Sequence, residues 1–353
     1  MTDYAADSML QARSILYLNQ FRPDGAVLAV CDLRTGAIRS LAERDSAGSH
    51  SRPRLALTAT FPAASLIKIL TASAALETKE LQPSDNLPIL GRSHTLYRYQ
   101  LLPPKHARYP KISLANAFAR SVNPVFGALG IRVGAESLRK MGSAMGFNQP
   151  QTLQECRPSR LEVPDSGFTL AQMACGYTTS TTISPIHALR IARGIGDDGR
   201  IQPVYFTSGL KNLGNGSRLV VPPVTSDPFV SPPILDSLRI LMAATVSTGT
   251  ARKGFRRAFR RQSMTDLDMG GKTGTLDGNE PPGRYEWYIG YARLKDHPDR
   301  GIAIAVMTIN QRSRTVRATE LAGLLIRDWA HPPSATTPRR KHIVKNRRTY
   351  ARL

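Results

Sequence analysis

Acidic residues are scarce in this sequence. Against 48 lysines and arginines, the 353-residue chain carries only 26 aspartates and glutamates, a formal net charge of +22. Such an excess attracts polyanions, whether nucleic acid, anionic lipid or another acidic polymer, without choosing among them. There is no zinc-finger spacing and no glycine-aromatic motif of the single-stranded RNA binders, and the basic residues outside the C-terminal tail are scattered. A polyanion- or nucleic-acid-binding protein is therefore the alternative from another class, and no specific nucleic-acid partner is expected. Cysteine is almost absent: Cys31, Cys156 and Cys175 are too few and too far apart for a disulfide scaffold or a metal knuckle. The odd count leaves at least one thiol free or intermolecular, and Cys31 and Cys175 sit in apolar runs that read as core. Histidines such as His331 and His342 fall in no ligand pattern of the His-Glu-x-x-His kind, so no metal is expected. No run approaches 18 apolar residues, and the first 20 residues lack the charged-then-apolar pattern of a signal peptide. Read literally this is a soluble chain, or a mature domain or fragment whose export segment lies elsewhere. No internal repeat stands out.

What is present is enough apolar residue, 41 %, to build a core. The length allows one large domain or two moderate ones. The 27 glycines and 25 prolines fit a loop-rich α/β or α+β enzyme better than a helical bundle. Residues 1–24 read as a helix and a turn. Ala26–Leu33 is β-prone and pairs across a Thr35-Gly36 turn with Ala37-Ile38-Arg39. Residues 42–57 read as a polar loop. Residues 77–112 show little regular structure beyond a short strand near His94–Tyr99. Helices are expected at 113–120, capped by Ser113, then from Pro124, at 134–146, at 169–177, at 184–193 with Ser184 as cap and Pro185 in the first turn, and at 234–246. Residues 207–233 read as irregular. Residues 251–262 carry six basic residues and no acid, and read as a solvated face, or alternatively as an anion-contacting rim. A polar loop is expected from 276 to 286, strands at 287–292 and 302–309, and a helix at 319–329. The tail from 331 to 353 is basic and is expected to be disordered, able to hold the chain near an anionic surface.

Residues 61–70, Phe-Pro-Ala-Ala-Ser-Leu-Ile-Lys-Ile-Leu, are the chemically telling stretch. Ser65 and Lys68 are its only polar side chains. Pro62 and the alanines suit a helix start, and the apolar run to Leu76 implies burial. On that helix Ser65 and Lys68 share a face, with Cβ atoms about 5–6 Å apart. Desolvation lowers an ammonium pKa, and a neutral lysine beside a serine hydroxyl can act as its general base. Alone, such a pair occurs on many ordinary helices whose lysine reaches water.

Two more motifs follow in order: Ser121-Val122-Asn123 and Lys272-Thr273-Gly274-Thr275. With Ser65-Leu66-Ile67-Lys68 they resemble the transpeptidase domain of penicillin-binding proteins and the related serine β-lactamases. Pro62 before the serine, Gly146-Phe147, Ser184-Pro185, Thr248-Gly249-Thr250-Ala251 and Trp287-Tyr288-Ile289-Gly290-Tyr291 resemble further family features. The resemblance covers roughly residues 24–330. It implies an α+β fold: a five-stranded antiparallel sheet carrying the Lys272 motif, flanked by helices, beside a mostly helical subdomain holding Ser65 and Ser121. The site lies at their junction. The implied division is an N-terminal extension, 1–23, a domain at 24–330 and the tail 331–353. Within the domain, the α/β part takes about 24–60 and 250–330, and the helical part about 61–249.

The resemblance also implies roles. Ser65 is the nucleophile acylated by a D-alanyl-D-alanine stem peptide, and Lys68 takes its proton. Ser121 relays a proton to the leaving amine in a network with Lys68 and Lys272. Asn123 holds Lys68 and contacts the substrate amide. Lys272 supplies positive charge near the substrate carboxylate, which the Thr273 and Thr275 hydroxyls bind. Gly274 lets the strand edge lie close to the peptide. The backbone N–H groups of Ser65 and Thr275 form the oxyanion hole. No cofactor is implied. The implied partners are peptidoglycan stem peptides or a lipid-linked precursor, β-lactams as covalent inhibitors, and cell-wall synthesis proteins, with a place in the bacterial cell envelope, periplasmic or extracytoplasmic. Resolution of the ester by an amine gives a cross-link, and by water gives D,D-carboxypeptidase or endopeptidase activity. A sensor that stays acylated keeps the same residues. Two departures disfavour a β-lactamase. Leu161-Glu162-Val163-Pro164-Asp165 does not match the glutamate loop of class A, and Asn123 stands where class D enzymes have valine.

Overall fold

The computed structural model describes residues 7–46, 54–79, 81–102, 109–150, 156–205 and 227–332. In chain order the elements are α1 (Ser8–Phe21), β1 (Gly25–Asp32), β2 (Ile38–Asp45), α2 (Lys68–Lys79), β3 (Asn86–Pro88), β4 (Lys111–Ser113), α3 (Leu114–Ala119), α4 (Asn123–Val133), α5 (Ala135–Ala144) and α6 (Gly167–Cys175). They continue with α7 (Pro185–Gly196), α8 (Pro232–Ser247), α9 (Arg252–Ala258), β5 (Leu267–Asn279), β6 (Pro282–Leu294), β7 (His297–Asn310) and α10 (Ala318–Ala330).

The main sheet has five strands in the order β2-β1-β7-β6-β5, every neighbouring pair antiparallel. Both of its faces are buried, which is why β1 and β7 read as unbroken apolar runs and not as alternating ones. Ala26, Leu28, Val30, Tyr288, Ile304 and Val306 turn to one face, against α1, α9 and α10. Val27, Ala29, Cys31, Trp287, Ile289 and Ala305 turn to the other, in a core shared with α2, α4, α6, α7 and α8. The fold is thus mixed α/β, with a helical subdomain built from α2 to α6. Cys31, Cys156 and Cys175 are all free and buried. Among the described residues no helix is long and apolar enough to cross a membrane.

The expected helices fall close to their places. Ser113 caps α3 by accepting from Asn116 N at 3.2 Å, and Ser184 caps α7 by accepting from His187 N at 3.1 Å. Four expectations are corrected. The polar stretch 276–286 is not a loop but the outer half of the β5–β6 hairpin, with Asn279 paired to Pro282. It carries no apolar alternation because it lies beyond the helices that cover the rest of the sheet. Residues 42–45 are strand, paired to β1 as far as Gly25↔Asp45. His94–Tyr99 is not a strand. The Gln100 side chain accepts from Tyr97 N at 2.8 Å and donates to Leu90 O at 2.7 Å, folding the segment on itself where a strand would need a partner. The helix after Pro62 starts later than expected: Ala64–Ile67 is a 3₁₀ turn, and the α-helix begins at Lys68. The helix expected within residues 1–24 is α1, and it is bound to the sheet: Gln11 Oε1 accepts from Leu41 N at 2.9 Å, and Ser14 Oγ lies 2.7 Å from Ser40 Oγ. Most of the expected irregular stretch 207–233 and almost all of the basic tail lie outside the described residues.

Candidate active site

The site forms where the edge strand β5 meets the turn that opens α2. Trp287, buried on β6 opposite Gly274, donates from Nε1 to Pro62 O at 3.0 Å and pins the approach to Ser65. Gly274 itself faces this turn. A Cβ there would sit 3.3 Å from Ala63 O and 3.4 Å from Leu66 Cγ. The crowding that Gly274 relieves is therefore between strand and turn, which sharpens the expectation of an open strand edge.

Ser65 is half-buried at the cleft, while Lys68, one turn on, is fully buried. Lys68 Nζ lies 2.8 Å from Ser65 Oγ, 2.8 Å from Asn123 Oδ1 and 2.5 Å from Cys175 O. As an ammonium it donates all three bonds. As a neutral amine it donates to Asn123 and Cys175 and accepts from the Ser65 hydroxyl, which is the arrangement a general base requires. Burial pulls its pKa down from 10.5 to about 8. The Cys175 carbonyl is one of the orphan acceptors at the end of α6. The neighbouring one, Ala174 O, accepts from Thr71 Oγ1 at 2.7 Å, so α2 and α6 are joined at the base.

The second arm comes from α3 and α4. Ser121 occupies the corner between them with φ of 58°, a left-handed conformation unusual for a residue with a side chain. Lys272 Nζ donates to its Oγ at 3.0 Å and to Thr273 O at 2.8 Å. The described residues contain no hydrogen bond between Ser121 and Lys68, so the expected three-way network is two pairs: Ser65–Lys68 and Ser121–Lys272. Asn123 bridges outward as well, donating from Nδ2 to His94 O at 3.1 Å. Lys272 is fully buried, and its pKa is driven well below 10.5 by burial and then by the charge of Lys68. Both lysines face an aromatic pair, Lys68 at 5.8 Å from the Phe126 ring and Lys272 at 5.5 Å from that of Phe118. The ring faces offer the cations some of what water no longer supplies.

Ser65, Ser121, Asn123, Thr273, Gly274 and Thr275 all line one cleft of about 470 Å³. The Lys68 and Lys272 amines reach it from beneath. Its wall includes residues that the motifs did not flag as functional: His94, Gly176, Tyr177, Thr250, Arg284, Glu286, Arg314, Arg317 and Thr319. Thr250 Oγ1 lies 2.6 Å from Thr273 Oγ1 and extends the hydroxyl row. The basic residues of 252–261 are exposed and absent from this wall, so the solvated-face reading holds over the anion-rim one. Glu162 pairs with Arg160 and also lies outside the cleft.

Gly176 is the most sharply constrained of the unflagged residues. It ends α6 with φ of +76°, and a Cβ there would fall 2.0 Å from Ala64 O and 2.9 Å from Ser65 N. A glycine after an apolar helix is a legible C-cap signal, although its contact with the serine turn is not. Gly176→Ala is expected to cost roughly 2–4 kcal/mol, from left-handed strain and backbone overlap. Chemical denaturation measures this, and an unchanged midpoint contradicts the packing described.

The model of the penicillin-binding protein transpeptidase domain matches residues 26–323. The peptidoglycan D,D-transpeptidase PbpA of Mycobacterium tuberculosis is 29% identical over 275 residues, 73% of this chain and 52% of the relative. PbpA of Mycolicibacterium smegmatis is 27% identical over 297 residues, 80% of this chain and 57% of the relative. The chain thus spans about half the length of the curated relatives it matches. In fold it is similar to the imipenem acyl-enzyme complex of penicillin-binding protein A from M. tuberculosis, with TM-score 0.69 and 24% identity over 92% of this chain and 78% of that one. It is also similar to the transpeptidase domain of Burkholderia pseudomallei penicillin-binding protein 3, with TM-score 0.67 and 17% identity over 95% and 98% of the two chains. Matched by the family model from its first sheet strand to its last helix, the chain belongs to the penicillin-binding protein transpeptidase domain family.

Proposed function

We propose that this domain is a serine D,D-transpeptidase that cross-links peptidoglycan stem peptides through an acyl-enzyme on Ser65. The observation that carries the reading is the buried Lys68 amine 2.8 Å from the Ser65 hydroxyl, inside a cleft that also presents Ser121, Asn123, Thr273 and Thr275. Ser65 Oγ attacks the carbonyl of the penultimate D-alanine while Lys68 takes its proton. The oxyanion is held by the backbone N–H groups of Ser65 and Thr275, where a missing donor typically costs about 2.7–4 kcal/mol. The proton returns to the departing D-alanine amine through Ser121, whose hydroxyl Lys272 orients. The Thr273 and Thr275 hydroxyls hold the terminal carboxylate. That anion favours the charged form of Lys272, which burial and the charge of Lys68 disfavour. Asn123, already committed to Lys68 and His94, offers its remaining Nδ2 hydrogen to the substrate amide.

PbpA of M. tuberculosis is named a peptidoglycan D,D-transpeptidase, and penicillin-binding protein A from that organism has been solved as an acyl-enzyme with imipenem. Both support the reading here, together with β-lactams as inhibitors and a place outside the cytoplasm, in the bacterial envelope. We further propose the division of the domain into an α/β part, near 24–60 and 250–330, and a helical part between them. The test supplies the protein with a stem-peptide donor ending in D-alanyl-D-alanine and an amine acceptor, and separates products by mass spectrometry. A cross-linked amide is the expected product. Hydrolysed donor alone makes the domain a D,D-carboxypeptidase, and a stable adduct without turnover makes it a sensor.

A further inference from the structure

Beside the cleft, the segment that follows His94 leaves aromatic surface uncovered. Among the described residues seven large apolar side chains are exposed. Three of them, Tyr97, Tyr99 and Leu102, fall within that one short segment, and a fourth, Tyr177, lines the cleft. Tyr97 and Tyr99 are 54% and 62% exposed, and their rings lie nearly parallel, 9° apart with centroids at 5.8 Å. Clustered apolar exposure marks a binding surface, where a single exposed residue needs no account. The pair is also held in place. The buried Gln100 side chain accepts from Tyr97 N at 2.8 Å and donates to Leu90 O at 2.7 Å. Leu96 and Leu101 press on Gly127 of α4, where a Cβ would come within 2.9 Å of each. The tyrosines are thus presented by an anchored segment, and little ordering remains to be done on binding.

Their position points to the partner. His94, three residues before Tyr97, lines the cleft, and its carbonyl accepts from Asn123 Nδ2 at 3.1 Å. In the proposed reaction the leaving D-alanine sits at the Ser121–Lys272 corner, so the rest of the donor leads away past Asn123 and His94. Arg98, between the two tyrosines, stands over the Phe168 ring at 5.2 Å. Phe168 is in the first turn of α6, and Cys175, whose carbonyl holds Lys68, ends that helix. The rise from one to the other is roughly 10 Å. A stem pentapeptide has three residues between the acylated D-alanine and the sugar that carries it, and extended they also span roughly 10 Å. Charge agrees: residues 86–102 contain no acid, Arg98 makes no ion pair among the described residues, and Asp165, near Phe168, is paired with Arg139. An anionic peptide leading to the sugar meets no repulsion there. A sugar ring has a face of C–H groups with slight positive charge, which suits the negative face of an aromatic ring.

We propose that Tyr97 and Tyr99 form a platform on which the sugar carrying the donor stem peptide stacks by its C–H face; this rests on the transpeptidase reading above. The pair touches neither the reacting carbonyl nor the leaving group, so it holds the donor and takes no part in the chemistry.

The test compares two donors on the full chain, a free stem pentapeptide and the same pentapeptide carried on its N-acetylated disaccharide, by the kcat/KM for release of D-alanine. The wild-type protein is expected to prefer the sugar-bearing donor by roughly tenfold, the scale of contact with two ring faces. A Tyr97→Ala/Tyr99→Ala variant is expected to lose that preference through a higher KM for the sugar-bearing donor alone, with acylation by benzylpenicillin unchanged. Tyr97→Phe/Tyr99→Phe keeps the ring faces and is expected to keep the preference. No preference in the wild-type protein, a preference that survives the alanine pair, or an equal loss for both donors overturns the platform. A wild-type dimer that the alanine pair dissociates, with the donor preference unmoved, assigns the tyrosines to a contact between copies and also overturns it. A wild-type protein that benzylpenicillin does not acylate overturns the transpeptidase reading itself and the platform with it, a result distinct from the others.

Discussion

Ser65→Ala is expected to leave no covalent adduct with fluorescent penicillin, at any time or concentration, in a protein that remains folded. The loss is complete because alanine has no oxygen to acylate. The fold survives because Ser65 is half-buried at the cleft wall and its hydroxyl contacts Lys68 alone among the described side chains. Circular dichroism and a denaturation midpoint near the wild-type value accompany the labelling experiment. The Lys68 amine keeps its bonds to Asn123 and Cys175 in the variant, so no buried charge is stranded. Residual labelling at the wild-type rate would place the nucleophile elsewhere.

The second large effect belongs to Lys68. With its pKa lowered to about 8 by burial, the amine is mostly protonated below that pH and mostly free above it. Only the free amine accepts the Ser65 proton. The acylation rate is therefore expected to rise with pH, close to tenfold per unit below about 8, and to level off above it. Lys68→Arg keeps a cation in the same place but removes a base, because guanidinium does not give up its proton in a protein. Loss of general-base catalysis is expected to slow penicillin acylation by roughly 10²–10⁴-fold and to flatten the pH profile. A flat profile in the wild-type protein, or an arginine variant that acylates at full rate, contradicts the role. Lys68→Ala is the poorer test, since it leaves the Cys175 carbonyl and Asn123 without their buried donor.

The motifs were legible because each packs its chemistry into three or four consecutive residues. Ser65 and Lys68 are brought together by the helical repeat alone, and Lys272 with its threonines by a single strand. Their assembly was not legible from spacing, because it depends on the α6 terminus and the edge of a sheet formed from both ends of the chain. The deepest contact of Lys68 is the backbone carbonyl of Cys175, which any residue type could supply. The apolar run around Cys175 therefore marks the thiol as core and carries no sign of the carbonyl's contact. Thr250 was visible in a family-like tetrapeptide, yet its contact with Thr273 arises only when α8 lies against β5. The hairpin at 276–286 reads as loop because polar strand residues past the covering helices carry no periodic mark. Ser121 shows a related limit: its positive φ follows from the meeting of two helices and has no glycine to announce it.

The central claim, a Ser65 acyl-enzyme served by a buried lysine, is tested most directly by locating the adduct. The wild-type protein is treated with benzylpenicillin near pH 8, digested, and mapped by tandem mass spectrometry. The account predicts one penicilloyl group, carried on Ser65, forming faster as the pH is raised from 6 to about 8. An adduct on another residue, or none on a folded protein, contradicts it.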